Sequence, residues 1–146
     1  MISLILIALA GALNATYEIL FTGFNQSIFK KLNPEFWNPL ESWKFKWKTF
    51  ESGIPGIGTV LKPGTSRWYY FGYVPRYEER FPYSSTALVF LTDAWHLFKA
   101  LMLGCIMLAV VNYSVLITPF IDFILLYVTF TFTFTIFFDY VLRIRK

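Results

Sequence analysis

Three long apolar runs constrain this chain more than any other feature of its sequence. They cover residues 2–24, 87–111 and 115–138 of the 146, and each is long enough for a helix that crosses a bilayer, which takes about 20 residues. Hydrophobic residues make up 56% of the chain and charged residues 15%, whereas soluble domains average roughly 45–50% and roughly 25%. A soluble core of this size could not bury so much apolar surface. The sequence therefore predicts a membrane protein.

The third run tests whether lipid or local propensity decides the secondary structure. From 129 to 135 it alternates Thr with Phe, a pattern that favours a strand by propensity. An isolated strand would leave its backbone groups unpaired in hydrocarbon, whereas a helix pairs them internally. We therefore predict an all-α membrane protein with three transmembrane helices. Its predicted parts are a first transmembrane helix over 1–25, an interfacial segment over 26–86, and a transmembrane helical hairpin with a basic tail over 87–146.

The basic residues predict the orientation. Nine of the 13 Lys and Arg residues lie in the segment between the first and second runs, and three more lie in the C-terminal tail. With three spans, this segment and the C-terminus share one side of the membrane. The positive-inside rule places that side in the cytoplasm and the N-terminus outside, in a bacterial cytoplasmic membrane. Met1 is followed by no basic residue before the apolar run, so we expect a retained span rather than a cleaved signal peptide.

The cytoplasmic segment contains a helix start and many aromatic residues. Asn38 precedes Pro39, and Glu41 follows three residues after Asn38; this pattern predicts a capped helix from Pro39 to about residue 51. One face of that helix is rich in Trp and is flanked by Lys, which is typical of a helix in the headgroup region or of one that packs on a partner protein. The predicted membrane-interface or partner contacts are Trp37, Trp43, Trp47, Trp68, Tyr69 and Tyr70.

Other site types find little support in the sequence. The glycine cluster at 53–58 lacks the Lys and Ser or Thr of a phosphate-binding loop, so it predicts a turn. The positive-inside rule already accounts for the basic residues, and no nucleic-acid partner is expected. The single cysteine, Cys105, excludes a disulfide framework within one chain. No cofactor is expected, because a haem would find only one histidine.

Ionisable residues inside the predicted spans are the sharpest local signal, because each is costly in hydrocarbon and needs a partner. The first span carries polar residues four apart, and the second carries ionisable residues three apart, which places neighbours on one helix face. With a helix rise of about 1.5 Å per residue, Glu18 would lie ~10 Å and His96 ~14 Å inside the boundary. The predicted intramembrane polar cluster is Asn14, Glu18, Asp93, His96 and Lys99.

Three interpretations of this cluster stay open. In the favoured, structural one, Glu18 pairs with Lys99 or His96 and ties the first span to the second. A metal or acid–base site would use Glu18, Asp93 and His96, because Asp and His three residues apart resemble half of a dimetal bundle site. A proton or ion path would also use Asp122.

Two further carboxylates lie near the ends of the third run. Asp122 follows Pro119 by about one turn, and we expect it to be a solvated helix end. Asp139 and Arg143 are four residues apart, which predicts an ordinary helix-end ion pair.

Several stretches of the chain also resemble a known group of proteins. They read N-A-T at 14–16, W-N-P at 37–39, S-W-K at 42–44 and L-T-D-A-W-H-L-F-K at 91–99. In this order they resemble small, uncharacterised multi-pass membrane proteins of bacterial and phage type, over most of residues 14–105. The resemblance implies the architecture and no catalytic role.

The sequence favours an accessory or scaffolding subunit of a larger bacterial membrane complex over an enzyme. Three helices bury few faces against one another, so the expected partners are the lipid bilayer and other membrane subunits or further copies of the chain. One alternative is a membrane-embedded enzyme or metal protein that uses the Glu/Asp/His cluster, with catalytic residues unknown. Another is a pore- or holin-like oligomer.

Overall fold

The computed structural model describes residues 1–42, 81–84 and 86–144. The secondary-structure elements in these ranges are all helices. Three segments are long and apolar enough to cross a membrane: Ile2–Gln26, Ala94–Val111 and Pro119–Leu142. The prediction of an all-α chain with three such helices is confirmed.

The elements follow one another simply. Helix α1 covers Ile2–Gly23 and continues into two 3-10 turns, Phe24–Gln26 and Ile28–Lys31. Two one-turn helices follow, α2 over Pro34–Trp37 and α3 over Pro39–Ser42. A 3-10 turn over Val89–Leu91 leads to α4, Ala94–Val111. Helix α5 covers Pro119–Ile136 and ends in a π-helix over Phe137–Leu142.

Helix α1 is the central helix, because α4 and α5 each pack along α1 rather than along each other. Helix α4 runs antiparallel to α1, and Ser3 Oγ near the start of α1 donates to the Asn112 carbonyl just after α4, at 3.1 Å. Helix α5 runs parallel to α1, and the Ile144 amide beyond its end donates to the Gln26 carbonyl at 2.7 Å. Helices α4 and α5 are therefore antiparallel, but they pack on α1 rather than along each other. The sequence predicts the C-terminus on the same side as the segment that follows the first span, and the N-terminus on the opposite side. The two contacts agree with this arrangement.

The α1–α5 contact depends on small side chains, as helix contacts in lipid commonly do. A Cβ on Gly11 would lie only 2.5 Å from the Phe130 carbonyl oxygen of α5, so the two backbones touch at this point. Ala15 is fully buried one turn further along α1. It forms an apolar core with Ile19 and Leu142, around which four phenyl rings pack. These four are Phe29, Phe134, Phe137 and Phe138.

Two helix starts were predicted too early. The second span was expected from residue 87, but α4 begins at Ala94, because Asp93 has an extended backbone and caps the helix. The third was expected from residue 115 after a turn at 112–114, but α5 begins at Pro119. A residue before proline avoids the helical region, and Thr118 is indeed extended. The connection is therefore 112–118.

The third span is a helix, as predicted against its strand-like sequence. Thr131 and Thr135 donate their hydroxyls to the carbonyls of Tyr127 and Thr131 at 2.9 Å, so these polar groups are satisfied inside the helix. At its end the predicted Asp139–Arg143 ion pair is absent among the described residues. Arg143 has left the helix and donates to Gln26 Oε1 at 3.4 Å.

The predicted helix start at Asn38 is confirmed. Its Oδ1 accepts from the Leu40 amide at 3.1 Å, and Glu41 Oε1 lies 3.5 Å from its side-chain nitrogen. The Asn38 amide itself donates to the Pro34 carbonyl, so Glu41 reaches the side chain rather than the backbone of the capping residue. The predicted extension to residue 51 lies outside the described residues.

Candidate functional site: an aspartate–histidine pair at the start of a span

Asp93 is the anchor of the candidate site. It is fully buried and stands at the N-cap of α4, where its Oδ1 accepts from the His96 amide at 2.8 Å. Thr92 Oγ1 lies 3.2 Å from the other carboxylate oxygen. A carboxylate suits this position, because the first amides of a helix lack partners inside the helix and carry partial positive charge. The local sequence thus fixes where α4 begins.

The same carboxylate orients the imidazole ring of His96. Nδ1 lies 2.7 Å from both Asp93 oxygens, and since an ionised carboxylate only accepts hydrogen bonds, Nδ1 carries the hydrogen. The His96 side chain retains 16% exposure. A histidine held by a buried carboxylate is an arrangement that can accept and return a proton.

Aromatic rings surround this pair and connect it to α1. The Trp95 ring centroid lies 3.8 Å from that of His96, and the Tyr17 and Phe21 centroids lie 5.6 and 5.8 Å from that of Trp95. Lys99 Nζ lies 5.7 Å from the Tyr17 ring centroid, within cation–π range. The α1–α4 contact at this level is therefore mainly aromatic.

The predicted polar cluster is only partly assembled. Asp93 and His96 are paired, but among the described residues no ion pair joins Glu18 to Lys99 or to His96. The cationic group of Lys99 lies over an aromatic ring instead. The predicted depth of His96 counted a helix from residue 87, whereas α4 begins at Ala94 and His96 lies in its first turn.

The described residues contain no group of three or more His, Cys, Asp or Glu side chains placed to hold a metal ion. The metal hypothesis combined Glu18 with Asp93 and His96, and these three do not converge. Asn14 and Glu18 lie on α1 in partly buried positions. The pair that remains, Asp93 and His96, is an arrangement that acid–base chemistry commonly uses.

Among the six aromatic residues predicted at an interface, Trp37 lies in the described part of the chain, and the other five lie outside it. Its ring stacks on Phe29 at 5.0 Å between centroids and contacts Phe98 of α4 at 6.1 Å. Trp37 therefore packs the segment after α1 against α4.

Asp122 forms a second polar centre, in which the carboxylate is buried rather than solvated. It is 1% exposed, and its carboxylate accepts from the Tyr113 hydroxyl at 2.9 Å and from the amides of Leu116 and Ile117 at 2.8 and 3.1 Å. These bonds fold the 112–118 connection over the start of α5. The expectation of a solvated helix end was wrong, because Asp122 is buried under the connection that its carboxylate holds.

Tyr113 gives a prediction on pH. The hydrogen bond to Asp122, then burial, then the charge of Asp122 raise the pKa of Tyr113 above its ordinary 10.0. The folded state thus holds this proton more tightly than the unfolded state, so the bond stabilises the fold fully below pH 10 and is lost as the pH rises through the folded-state pKa. Thermal unfolding in detergent should show a steeper alkaline decline for the native protein than for Tyr113→Phe.

The matched control for this measurement is Tyr127→Phe in the chain purified without other proteins, where it removes an exposed phenol and should keep the native decline. Parallel alkaline curves for the native protein and Tyr113→Phe would show that the bond does not influence stability.

No family model, curated protein or solved structure matches this chain. The resemblance to small multi-pass membrane proteins of bacterial and phage type stays a prediction.

Proposed function

We propose that the protein is an accessory or scaffolding subunit of a larger membrane complex, with α5 seated against a transmembrane helix of a partner subunit. The proposal places it in a bacterial cytoplasmic membrane, with the N-terminus outside and the C-terminus inside. The positive-inside rule supports this orientation, because nine basic residues lie between the first and second spans and three follow the last.

The observation that carries the proposal is Tyr127. Its side chain is 63% exposed on α5, and it makes no side-chain hydrogen bond within the described residues. It lies about 12 Å from the Pro119 end of the span and about 22 Å from the Leu142 end, so it is away from both ends of the span. A phenol hydroxyl in hydrocarbon lacks a hydrogen-bond partner, and that is unfavourable. A neighbouring protein helix supplies such a partner.

The surroundings of Tyr127 support a protein contact. Phe120 and Phe123 precede it at helical spacing on the same face, and they are 73% and 66% exposed. We name these three residues the aromatic face of α5. Aromatic side chains give large contact areas at little entropic cost, and the opposite side of α5 is already occupied by α1.

The test places a photo-crosslinking amino acid at Tyr127 in native membranes. We expect a discrete crosslinked protein. We also expect the same protein to copurify with the native chain in mild detergent, without crosslinking, and to do so in lower yield with Tyr127→Phe. The matched control is Leu103, an exposed residue of α4 eight positions from its end, which should crosslink to lipid. Crosslinks to lipid alone at Tyr127 would contradict the proposal, and crosslinks to a second copy of the chain would replace it by a homo-oligomer.

The Asp93–His96 pair supports a second candidate, a membrane-embedded enzyme that uses His96 as a proton acceptor. The supporting observation is the 2.7 Å contact between His96 Nδ1 and a fully buried carboxylate. The same preparation discriminates the two functions. His96→Ala should leave copurification of the partner largely intact if the pair serves catalysis, and should weaken it if the pair serves assembly.

A further inference from the structure

A cavity of about 730 Å³, with polar and apolar parts in its wall, lies where α1 and α5 end together. Its wall combines residues that follow α1, Asn25, Gln26 and Lys30, with Asp139 and Arg143 from the end of the π-helix and the residue after it. Tyr140 and Ile144 complete the wall, and we name this space the terminal cavity. It is separate from the Asp93–His96 pair and from the aromatic face of α5.

Backbone contacts hold the two sides of the terminal cavity together. Ser27 and Arg143 form an isolated antiparallel bridge, and the Ile144 amide donates to the Gln26 carbonyl at 2.7 Å. The Arg143 guanidinium donates to Gln26 Oε1 at 3.4 Å. The π-helix contributes as well, because its end releases Arg143 from the helical pairing with Asp139 that an α-helix would favour. Such π-helical turns are frequent at functional sites.

The donors in the cavity wall suit an anion. Lys30 has no side-chain partner within the described residues, and Arg143 makes one hydrogen bond there, so most of its guanidinium donors are available. Two cations face one carboxylate, that of Asp139, which leaves a net charge of +1. Lysine and arginine with side-chain amides beside them are the usual ligands of a phosphate group.

The level of the terminal cavity along the apolar spans indicates which kind of phosphate it would meet. It lies at the Gln26 end of the first apolar span and the Leu142 end of the third, which is the level of the lipid headgroups when these helices cross a bilayer. Basic pockets between transmembrane helices at this level bind anionic lipid headgroups. We infer that the terminal cavity binds the phosphate of an anionic phospholipid headgroup between Lys30 and Arg143.

The test measures lipid affinity of the purified full chain in neutral detergent, by adding phosphatidylglycerol or, separately, phosphatidylcholine. We expect phosphatidylglycerol to bind more tightly, and Lys30→Gln to weaken its binding about tenfold, as loss of one charge-assisted hydrogen bond implies. Asp139→Asn should tighten it, because the carboxylate repels the phosphate. Arg143→Gln also removes the Gln26 contact, so Lys30→Gln is the cleaner variant.

Lys31→Gln is the matched control. It removes the same charge from the neighbouring position, which is not part of the cavity wall, and it should leave the affinity nearly unchanged. Equal weakening by Lys30→Gln and Lys31→Gln would overturn the inference in favour of diffuse surface attraction. Inorganic phosphate is the second arm of the test. If it binds as tightly as phosphatidylglycerol and displaces it, the cavity is a site for free phosphate and the lipid inference is wrong.

Discussion

Gly11→Leu is expected to prevent α5 from packing on α1. Even a Cβ at this position would lie 2.5 Å from the Phe130 carbonyl oxygen and 3.2 Å from the Thr133 Cβ. The nearer atom belongs to the helix backbone, which cannot rotate aside as the end of a side chain can. Gly11→Ala should already cost about 1–3 kcal/mol through overpacking, although alanine favours a helix over glycine by about 1 kcal/mol.

Gly104 provides the matched control for Gly11. It lies in the middle of α4, and a Cβ there would meet nothing within 4 Å. Gly104→Ala should therefore leave stability unchanged or raise it by up to about 1 kcal/mol, the helix-propensity difference. Denaturant unfolding in detergent micelles compares the two variants. Equal effects at the two positions would show that the contact with α5 does not limit packing.

A crosslinking experiment reports the α1–α5 contact directly. Ser27 and Arg143 form a bridge pair, and paired strand residues have Cα atoms about 4.5–5.5 Å apart, within the range of disulfides. With Cys105→Ser as background, Ser27→Cys combined with Arg143→Cys should form a disulfide on mild oxidation. Gly11→Leu should reduce the yield of that disulfide, whereas Gly104→Ala should not.

Asp93→Ala is expected to give the second-largest loss of stability. It removes the N-cap of α4, which is worth about 1 kcal/mol. It also leaves the His96 Nδ1–H without its acceptor in a largely buried position, which costs about 1–3 kcal/mol more. Asp93→Asn should lose less, since asparagine caps a helix about as well as aspartate. The native protein, Asp93→Ala and Asp93→Asn are compared by their free energies of unfolding in one detergent at neutral pH.

A double-mutant cycle separates the two roles of Asp93. If the carboxylate acts through His96, then Asp93→Ala with His96→Ala should be clearly less damaging than the sum of the single variants, because the unpaired ring is removed together with its partner. Strictly additive losses would show that Asp93 serves only as a cap. Thr118→Ala, which removes the cap of α5, gives the size of a cap effect on its own.

The sequence predicts those contacts of the site that join residues close together in the chain. Asp93 and His96 are three residues apart at a helix start, so their pairing needs only the first turn of α4. The pairing of Glu18 with Lys99 or His96 required two helices in a particular rotation, and apolar composition does not specify rotation. Tyr17 rather than Glu18 lies beneath the Lys99 amine, and aromatic contacts to Trp95 hold this part of α1 and α4 together.

Asp122 illustrates the same limit at the other end of the molecule. Its position near a helix start suggested contact with water, because a carboxylate in the first turn is commonly solvated. Its partners are instead backbone amides five and six residues earlier and the Tyr113 hydroxyl nine residues earlier. These groups meet Asp122 only because the 112–118 connection folds back over α5, and no periodicity in the sequence records that path.

The sequence alone determined that this chain forms three apolar helices, and that the first helix ends beside the C-terminus. Both follow from hydropathy and from the number of crossings, since lipid leaves a helix as the way to pair an isolated segment's backbone. The tertiary structure decided that α1 lies between α4 and α5 and that Asp122 is buried. It also decided that Arg143 turns from Asp139 to Gln26. The position of α1 and the turn of Arg143 depend on contacts between distant residues, above all the backbone approach at Gly11. The burial of Asp122 depends on the path of the 112–118 connection. The composition of a single helix specifies neither.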